Sequence, residues 1–280
     1  REGLFEDVDA ASTWHPGDYT GVVGGGLLAN TRIDFSFHGI ASHAAAAPEL
    51  GRSALDAVEL MNIGVNYMRE HMPDDARVHY AYLDAGGEAP NVVQSKATVR
   101  QLVRASSNRE LLALVERVKR IAEGAALMTE THVASHVVSA VSNVLGNGPL
   151  ERAMEAQMER LGPPPFDEAD RVFARQIQAT LTPAHVADAF RRARRAPVAD
   201  KPLADLIVPL TKDSPSPAGS TDVGDVSWAV PTVQAWVATC AFGTPFHTWQ
   251  LTAQGKSPAA HKGMVHAAKI MAATGRELVE

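Results

Sequence analysis

The strongest constraint on the fold is a hydrophobic period that switches back and forth between residues 31 and 147. In the run RIDFSFHG at 32–39, Ile33, Phe35 and Phe37 alternate with polar residues, the period of a half-buried strand. Residues 53–68 then place Leu55, Val58, Met61, Val65 and Met68 at helical spacing,. The two-residue period returns in RVHYAYL at 77–83 and in KATVRQLVR at 96–104. Asn108 is predicted to cap a second helix with Leu111, Leu114, Val115, Val118 and Ile121 on one face,. HVASHVVSAV at 132–141 is a last alternating run. The order β-α-β-β-α-β predicts a ferredoxin-like split βαβ sandwich, a self-contained domain over 31–147.

The flanking segments read differently. Residues 7–14 predict a short strand ending in a loop, and Gly24, Gly25 and Gly26 a flexible connection that is not GxGxxG. Helices are predicted at 149–162 and 167–195, separated by GPPPF at 162–166. The stretch 196–219 carries Pro197, Pro202, Pro209, Pro215 and Pro217 and is expected to be irregular. A buried strand at 232–241, the loop GTPFHTWQ and a helix from 259 onward close the chain. This is the pattern of an α/β layer, with only two or so strands available for a parallel sheet. The expected division is 1–30 and 148–280 as parts of a partial α/β domain, with 31–147 inserted between them.

Composition narrows the function. The chain has 280 residues, 45% hydrophobic and 21% charged, which is globular,. A net charge of −6 gives no electrostatic reason to expect nucleic acid,. The basic cluster Arg191, Arg192, Arg194 and Arg195 reads as a solvated helix face. The single cysteine, Cys240, sits in the apolar run VQAWVATCAFG and reads as core. With no disulfide framework and no visible signal peptide, the expected location is the cytoplasm. No apolar stretch reaches the roughly 18 residues of a membrane helix. The chain starts at Arg1 and ends at Glu280 inside a predicted helix, so both ends read as cuts.

No HExxH, CxxC, GxSxG or P-loop occurs,. His15 lies at the end of a strand and His247 in a Gly/Pro loop after another. Strand-end loops are where α/β sheets hold ligands, and neutral imidazole is a common metal ligand. His43, among alanines between a strand and a helix, reads either as an exposed loop histidine or as one free to meet a ligand. Arg100 and Arg104 lie four apart in a strand and so share a face. Either is a bidentate partner for a carboxylate, or both are solvated. His38, His71, His79, His132, His136, His185 and His266 read as surface or packing residues.

Five segments together resemble the aminoacylase and carboxypeptidase-G family of two-metal peptidases (clan MH). They are DVDAASTWHPG at 7–17, GIASHAAAAPELGRSALDAV at 39–58, APNVVQSKATVRQLVR at 89–104, AGSTDVGDVSW at 218–228 and GTPFHTWQLTAQGKSPAAHKGM at 243–264. They cover nearly the whole chain in the family's order. Within that family the likeness is to members that hydrolyse p-aminobenzoyl-glutamate.

The resemblance implies roles. His15 and His247 are implied as metal ligands, and two divalent ions, zinc or manganese, as cofactor. His43 is implied as the lid histidine that reaches into the neighbouring protomer's active site and stabilises the oxyanion. Asn91 is implied to contact the substrate, Arg104 to hold its carboxylate, and Gly219, Ser220 and Thr221 to line its pocket. The implied lid domain makes a homodimer, a second related subunit is a further implied partner, and no nucleic acid and no membrane are expected. Gln94 departs from the family motif, which often has proline there. The family's remaining metal ligands and its general base lie upstream of the segments present, so the chain is expected to be inactive by itself. The alternatives are a dipeptidase or other N-acyl amino acid hydrolase of the same family, or a non-catalytic dimerisation or binding module.

Overall fold

A computed structural model describes residues 3–196, 198, 200–211 and 219–280. Pro197, Pro215 and Pro217 of the predicted irregular stretch, and Ala218 of the fourth motif, lie outside the described residues. In chain order the elements are β1 (Ala11–Gly17), β2 (Thr20–Val23), β3 (Ala29–His38), α1 (Ala54–Met68), β4 (Arg77–Asp84), β5 (Lys96–Ala105), α2 (Asn108–Met128), β6 (His132–Val141), α3 (Gly148–Leu161), α4 (Glu168–Gln178), α5 (Pro183–Arg192), β7 (Ile207–Val208), α6 (Val223–Ser227), β8 (Thr232–Ala238), α7 (Trp249–Gln254) and α8 (Pro258–Val279). The molecule is a mixed α/β protein of two compact units. One comprises Arg1–Gly25, Leu145–Ser216 and Val226–Glu280; the other comprises Gly26–Val144 and Pro217–Asp225.

The second unit holds a four-stranded sheet in the order β4-β5-β3-β6, every pair antiparallel. Its alternation places Ile33, Phe35, Phe37, Val99 and Val103 on one face, fully buried beneath α1 and α2. Met61, Val65, Leu114 and Val118 of the helices complete this core. Burying side chains of this size contributes about 1.5–3 kcal/mol each. The opposite face carries Arg32, Asp34, Arg100 and Arg104, none of them fully buried. One expectation is corrected here: the cap of α2 is Ser107, not Asn108. Ser107 has extended backbone angles and its hydroxyl accepts from the Glu110 N–H, whereas Asn108 is already helical,.

The first unit holds a four-stranded mixed sheet, β1-β8-β2-β7. β1 runs parallel to β8, β2 antiparallel to β8, and β7 parallel to β2. α3 and α8 cover it through Leu150, Met154, Met158, Ala267 and Ile270. The sheet is thus larger than the two parallel strands expected; β2 and β7 have four and two residues, too short to show a period. The single helix expected over 167–195 is two, α4 and α5. Pro183 has no N–H to continue α4, and Thr182 turns extended and caps α5 with its hydroxyl,. Cys240 is buried as expected, and burial pushes its thiol up to about 12, which makes it inert as a nucleophile.

Candidate functional site

In the second unit the candidate residues gather at two places. The first is the loop between β3 and α1. His43 is exposed and pairs as an isolated bridge with Val92. The neighbouring Ala44 N–H donates to the Asn91 carbonyl at 2.9 Å, so the His43 and Asn91 loops are sewn together. The His43 Nδ1 lies 3.2 and 3.1 Å from the Ala45 and Ala46 N–H groups. Backbone N–H can only donate, so Nδ1 accepts and the ring proton sits on Nε2. The imidazole therefore presents an N–H donor outward, the species needed to stabilise a developing oxyanion. Gly39, at the start of this motif, is held against Arg52; a Cβ there would lie 1.9 Å from the Arg52 carbonyl oxygen.

The second place is the far end of β5. Arg104 is half-buried, and its Nη1 donates to the Ser220 hydroxyl at 2.9 Å. Among the described residues no carboxylate pairs with it. Burial, and then the charge of Arg32, make its protonated form less favourable than usual. Arg100 differs. Both its Nε and Nη2 are taken by Asp34, at 2.6 and 2.8 Å. The two arginines that strand spacing left equivalent are thus distinct: one is neutralised, one is open to an anion. Gly219 is fixed by its carbonyl, which accepts from Leu28 N–H at 2.8 Å. The Thr221 hydroxyl accepts from Val223 N–H at 3.3 Å.

These two places are separate. Lys96 and Arg104 lie eight residues apart along β5, a span of about 26 Å at about 3.3 Å per residue. The His43 and Asn91 loops join the sheet at the Lys96 end, where Gly39 N–H bonds the Ser95 carbonyl.

In the first unit, His15 on β1 stacks on Trp236 of β8, with ring centroids 4.7 Å apart and planes 8° from parallel. Its Nδ1 is 2.7 Å from the Pro16 carbonyl, which can only accept, so Nε2 keeps a bare lone pair, as a metal-bound imidazole requires. Gly17 makes room for this stack: a Cβ there would meet the Trp236 ring at 1.7 Å. His247 is exposed, with φ 61° in the left-handed region, uncommon outside glycine. Its neighbour Phe246 lies 6.0 Å from the His15 ring. Among the described residues no three His, Cys, Asp or Glu side chains group to hold a metal ion. The residues described therefore do not complete a two-metal site.

The sequence reading missed one residue of this unit. Asp18 is fully buried, and its carboxylate accepts from Arg192 at 3.1 and 2.9 Å and from Gly243 N–H at 3.1 Å. It pins the start of the loop that carries His247. Arg192 is correspondingly not part of a solvated helix face; it is half-buried and also bonds Asp188 at 3.0 Å.

No family model matches the chain. It is 46% identical to the B-type subunit of p-aminobenzoyl-glutamate hydrolase from Escherichia coli (strain K12) over 288 residues, which is 98% of this chain and 59% of that protein. The chain is thus similar to this hydrolase component along nearly its whole length. It is 27% identical to Xaa-Arg dipeptidase of Mus musculus, over 99% of the chain and 54% of that protein. Against the A-type subunit of the Escherichia coli hydrolase it is 29% identical over 50% of the chain. The chain thus spans 59% and 54% of the length of the first two relatives. The fold matches an aminobenzoyl-glutamate utilization protein from Klebsiella pneumoniae, with TM-score 0.52, 21% identity, 95% of this chain and 56% of that one covered. It also matches a dinuclear metal binding peptidase of the M20 family from Bacillus subtilis, with TM-score 0.52, 16% identity, 97% and 58% covered. The family resemblance carried by the five sequence motifs is borne out. No helix among the described residues is long and apolar enough to cross a membrane.

Proposed function

We propose that the whole protein to which this chain belongs is a two-metal amidohydrolase. It cleaves the amide bond of an N-acyl amino acid, with p-aminobenzoyl-glutamate the favoured substrate. The likeness to a hydrolase component supports the reaction class. The observation that carries the substrate class is Arg104, a half-buried guanidinium bonded to a serine hydroxyl and to no carboxylate among the described residues. Such a group is completed by a substrate carboxylate, which accepts two parallel N–H bonds.

In this reading Ser220, with Gly219 and Thr221, lines the pocket beside Arg104, and Asn91 contacts the substrate from the lid. The His43 Nε2–H donates to the amide carbonyl oxygen and stabilises negative charge as it develops there. Two divalent ions, zinc or manganese, are the cofactor proposed for the whole protein. His15 and His247 are offered as ligands, and two imidazoles alone do not make such a site.

The distance of about 26 Å between the two ends of β5 exceeds an N-acyl amino acid, which is no longer than two or three residues of chain at about 3.6 Å each. In this reading one chain's His43 and Arg104 serve different substrate molecules. This supports a ferredoxin-like lid domain that pairs across a two-fold, each His43 acting in the partner's site. The edge strands β4 and β6 are the candidate contacts. A second related subunit is a further proposed partner, since both components of the Escherichia coli enzyme match. The second substrate reading, a dipeptide, is favoured by the likeness to Xaa-Arg dipeptidase.

A substrate panel on the full-length protein, loaded with manganese or zinc, tests this. Hydrolysis of p-aminobenzoyl-glutamate ahead of dipeptides is expected; no amide hydrolysis with either metal would sink the proposal.

A further inference from the structure

The open face of the second unit's sheet concentrates positive charge at the Arg104 end. On β5, Arg104 stands opposite Asn30 of β3 and Arg77 of β4. Arg32 lies two residues from Asn30 on the same face, opposite Leu102. It is therefore the diagonal neighbour of Arg104, about 7–8 Å away between backbones, within reach of two long side chains. Arg77 is engaged by the carbonyls of Asp74 and Ala76. Arg32 is exposed and its guanidinium makes no hydrogen bond or ion pair among the described residues. The one acidic residue of β3, β5 and β6 is Asp34, and Arg100 occupies both its oxygens. His79, on the same face, is held below its usual range by burial and by Arg104, Arg69 and Arg77. Two adjacent guanidinium groups thus remain without counter-charge in a chain whose net charge is −6. A single carboxylate neutralises only one of them.

We propose that Arg32 and Arg104 together hold a dicarboxylate. Arg32 is then the specificity-determining residue, the one that selects N-acyl amino acids with a side-chain carboxylate, as glutamate has. This rests on the reading of Arg104 as a carboxylate anchor. The flexible Arg32 side chain closes on the second carboxylate, and the pair of charges is neutralised only by a dianion.

Calorimetric titration of the full-length protein with N-acetylglutamate and N-acetylglutamine separates the two assignments. The wild type is expected to bind the dicarboxylate about ten- to a hundredfold tighter, the weight of a charge-assisted hydrogen bond. Arg32→Gln is expected to erase that preference by weakening N-acetylglutamate alone, and Arg32→Lys to keep part of it. Arg104→Gln is expected to weaken both ligands. A preference unchanged in Arg32→Gln, or absent from the wild type, overturns the Arg32 assignment and leaves Arg104 standing. Both ligands unaffected by Arg104→Gln, or binding of neither, overturns the anchor itself. Inorganic phosphate displacing N-acetylglutamate at equal concentration would mean a general anion site and overturn the dicarboxylate assignment. Arg32 is exposed, so its variants fold.

Discussion

The guanidinium of Arg104 donates to the hydroxyl of Ser220 at 2.9 Å, across 116 residues of chain. That bond aims a cation which no carboxylate among the described residues neutralises. In the full-length protein, Arg104→Gln is expected to lower kcat/KM for a carboxylate substrate about a hundredfold or more, mostly through KM. Arg104→Lys keeps charge but loses the planar fork, and recovers only part. Ser220→Ala removes one orienting bond and costs about three- to tenfold. Steady-state kinetics of the three variants give the order; Arg104→Gln at wild-type KM would refute the anchor.

His43 presents its Nε2–H outward because two backbone N–H groups occupy Nδ1. His43→Ala in the full-length protein is expected to lower kcat by about 10²–10³-fold, the loss of one oxyanion donor. The side chain is exposed, so the urea midpoint is expected to stay within error. A variant with unchanged kcat, or one that loses activity only by unfolding, contradicts the role.

Asp18 and Arg192 join β1's exit to α5 across 174 residues. Arg192→Ala leaves a buried carboxylate without its cation and is expected to destabilise by about 3–5 kcal/mol. Asp18→Asn keeps the bond to Gly243 N–H and is expected to cost less. Urea unfolding followed by tryptophan fluorescence measures both. A loss under about 1 kcal/mol for Arg192→Ala would mean that the carboxylate is satisfied without it.

His266 is buried in α8 and its Nε2–H donates to the Gly162 carbonyl at 2.8 Å. Burial holds its pKa below the ordinary 6.5. The unfolded chain therefore binds this proton at higher pH than the folded one. Stability from this residue is complete above pH 6.5 and declines as pH falls from there toward the depressed value,. His266→Gln keeps a side-chain donor and removes the titration, so its unfolding midpoint should fall less between pH 7.5 and pH 5.5, roughly. Equal slopes for the two proteins would exclude His266 as the source.

Much of the second unit was legible because its signals are local. Ile33, Phe35 and Phe37 point one way at every second position, and Val58, Met61 and Val65 recur at helical spacing, whatever they pack against. Caps were less legible: Ser107 and Asn108 are both good cap residues, and the backbone angles chose between them. Short strands were not legible, since TGVV does not alternate and β7 has only two residues.

The sequence alone determined the strand and helix order of the second unit and placed His43, Asn91 and Arg104 on it, because hydrophobic period and motif order are properties of neighbouring residues. Only the tertiary structure decided that Arg100 is neutralised by Asp34 while, among the described residues, no carboxylate pairs with Arg104 or Arg32. It alone showed Arg192 bound to buried Asp18. Those outcomes depend on which carboxylate another strand or turn brings within about 3 Å, and spacing along one strand carries no record of its neighbours.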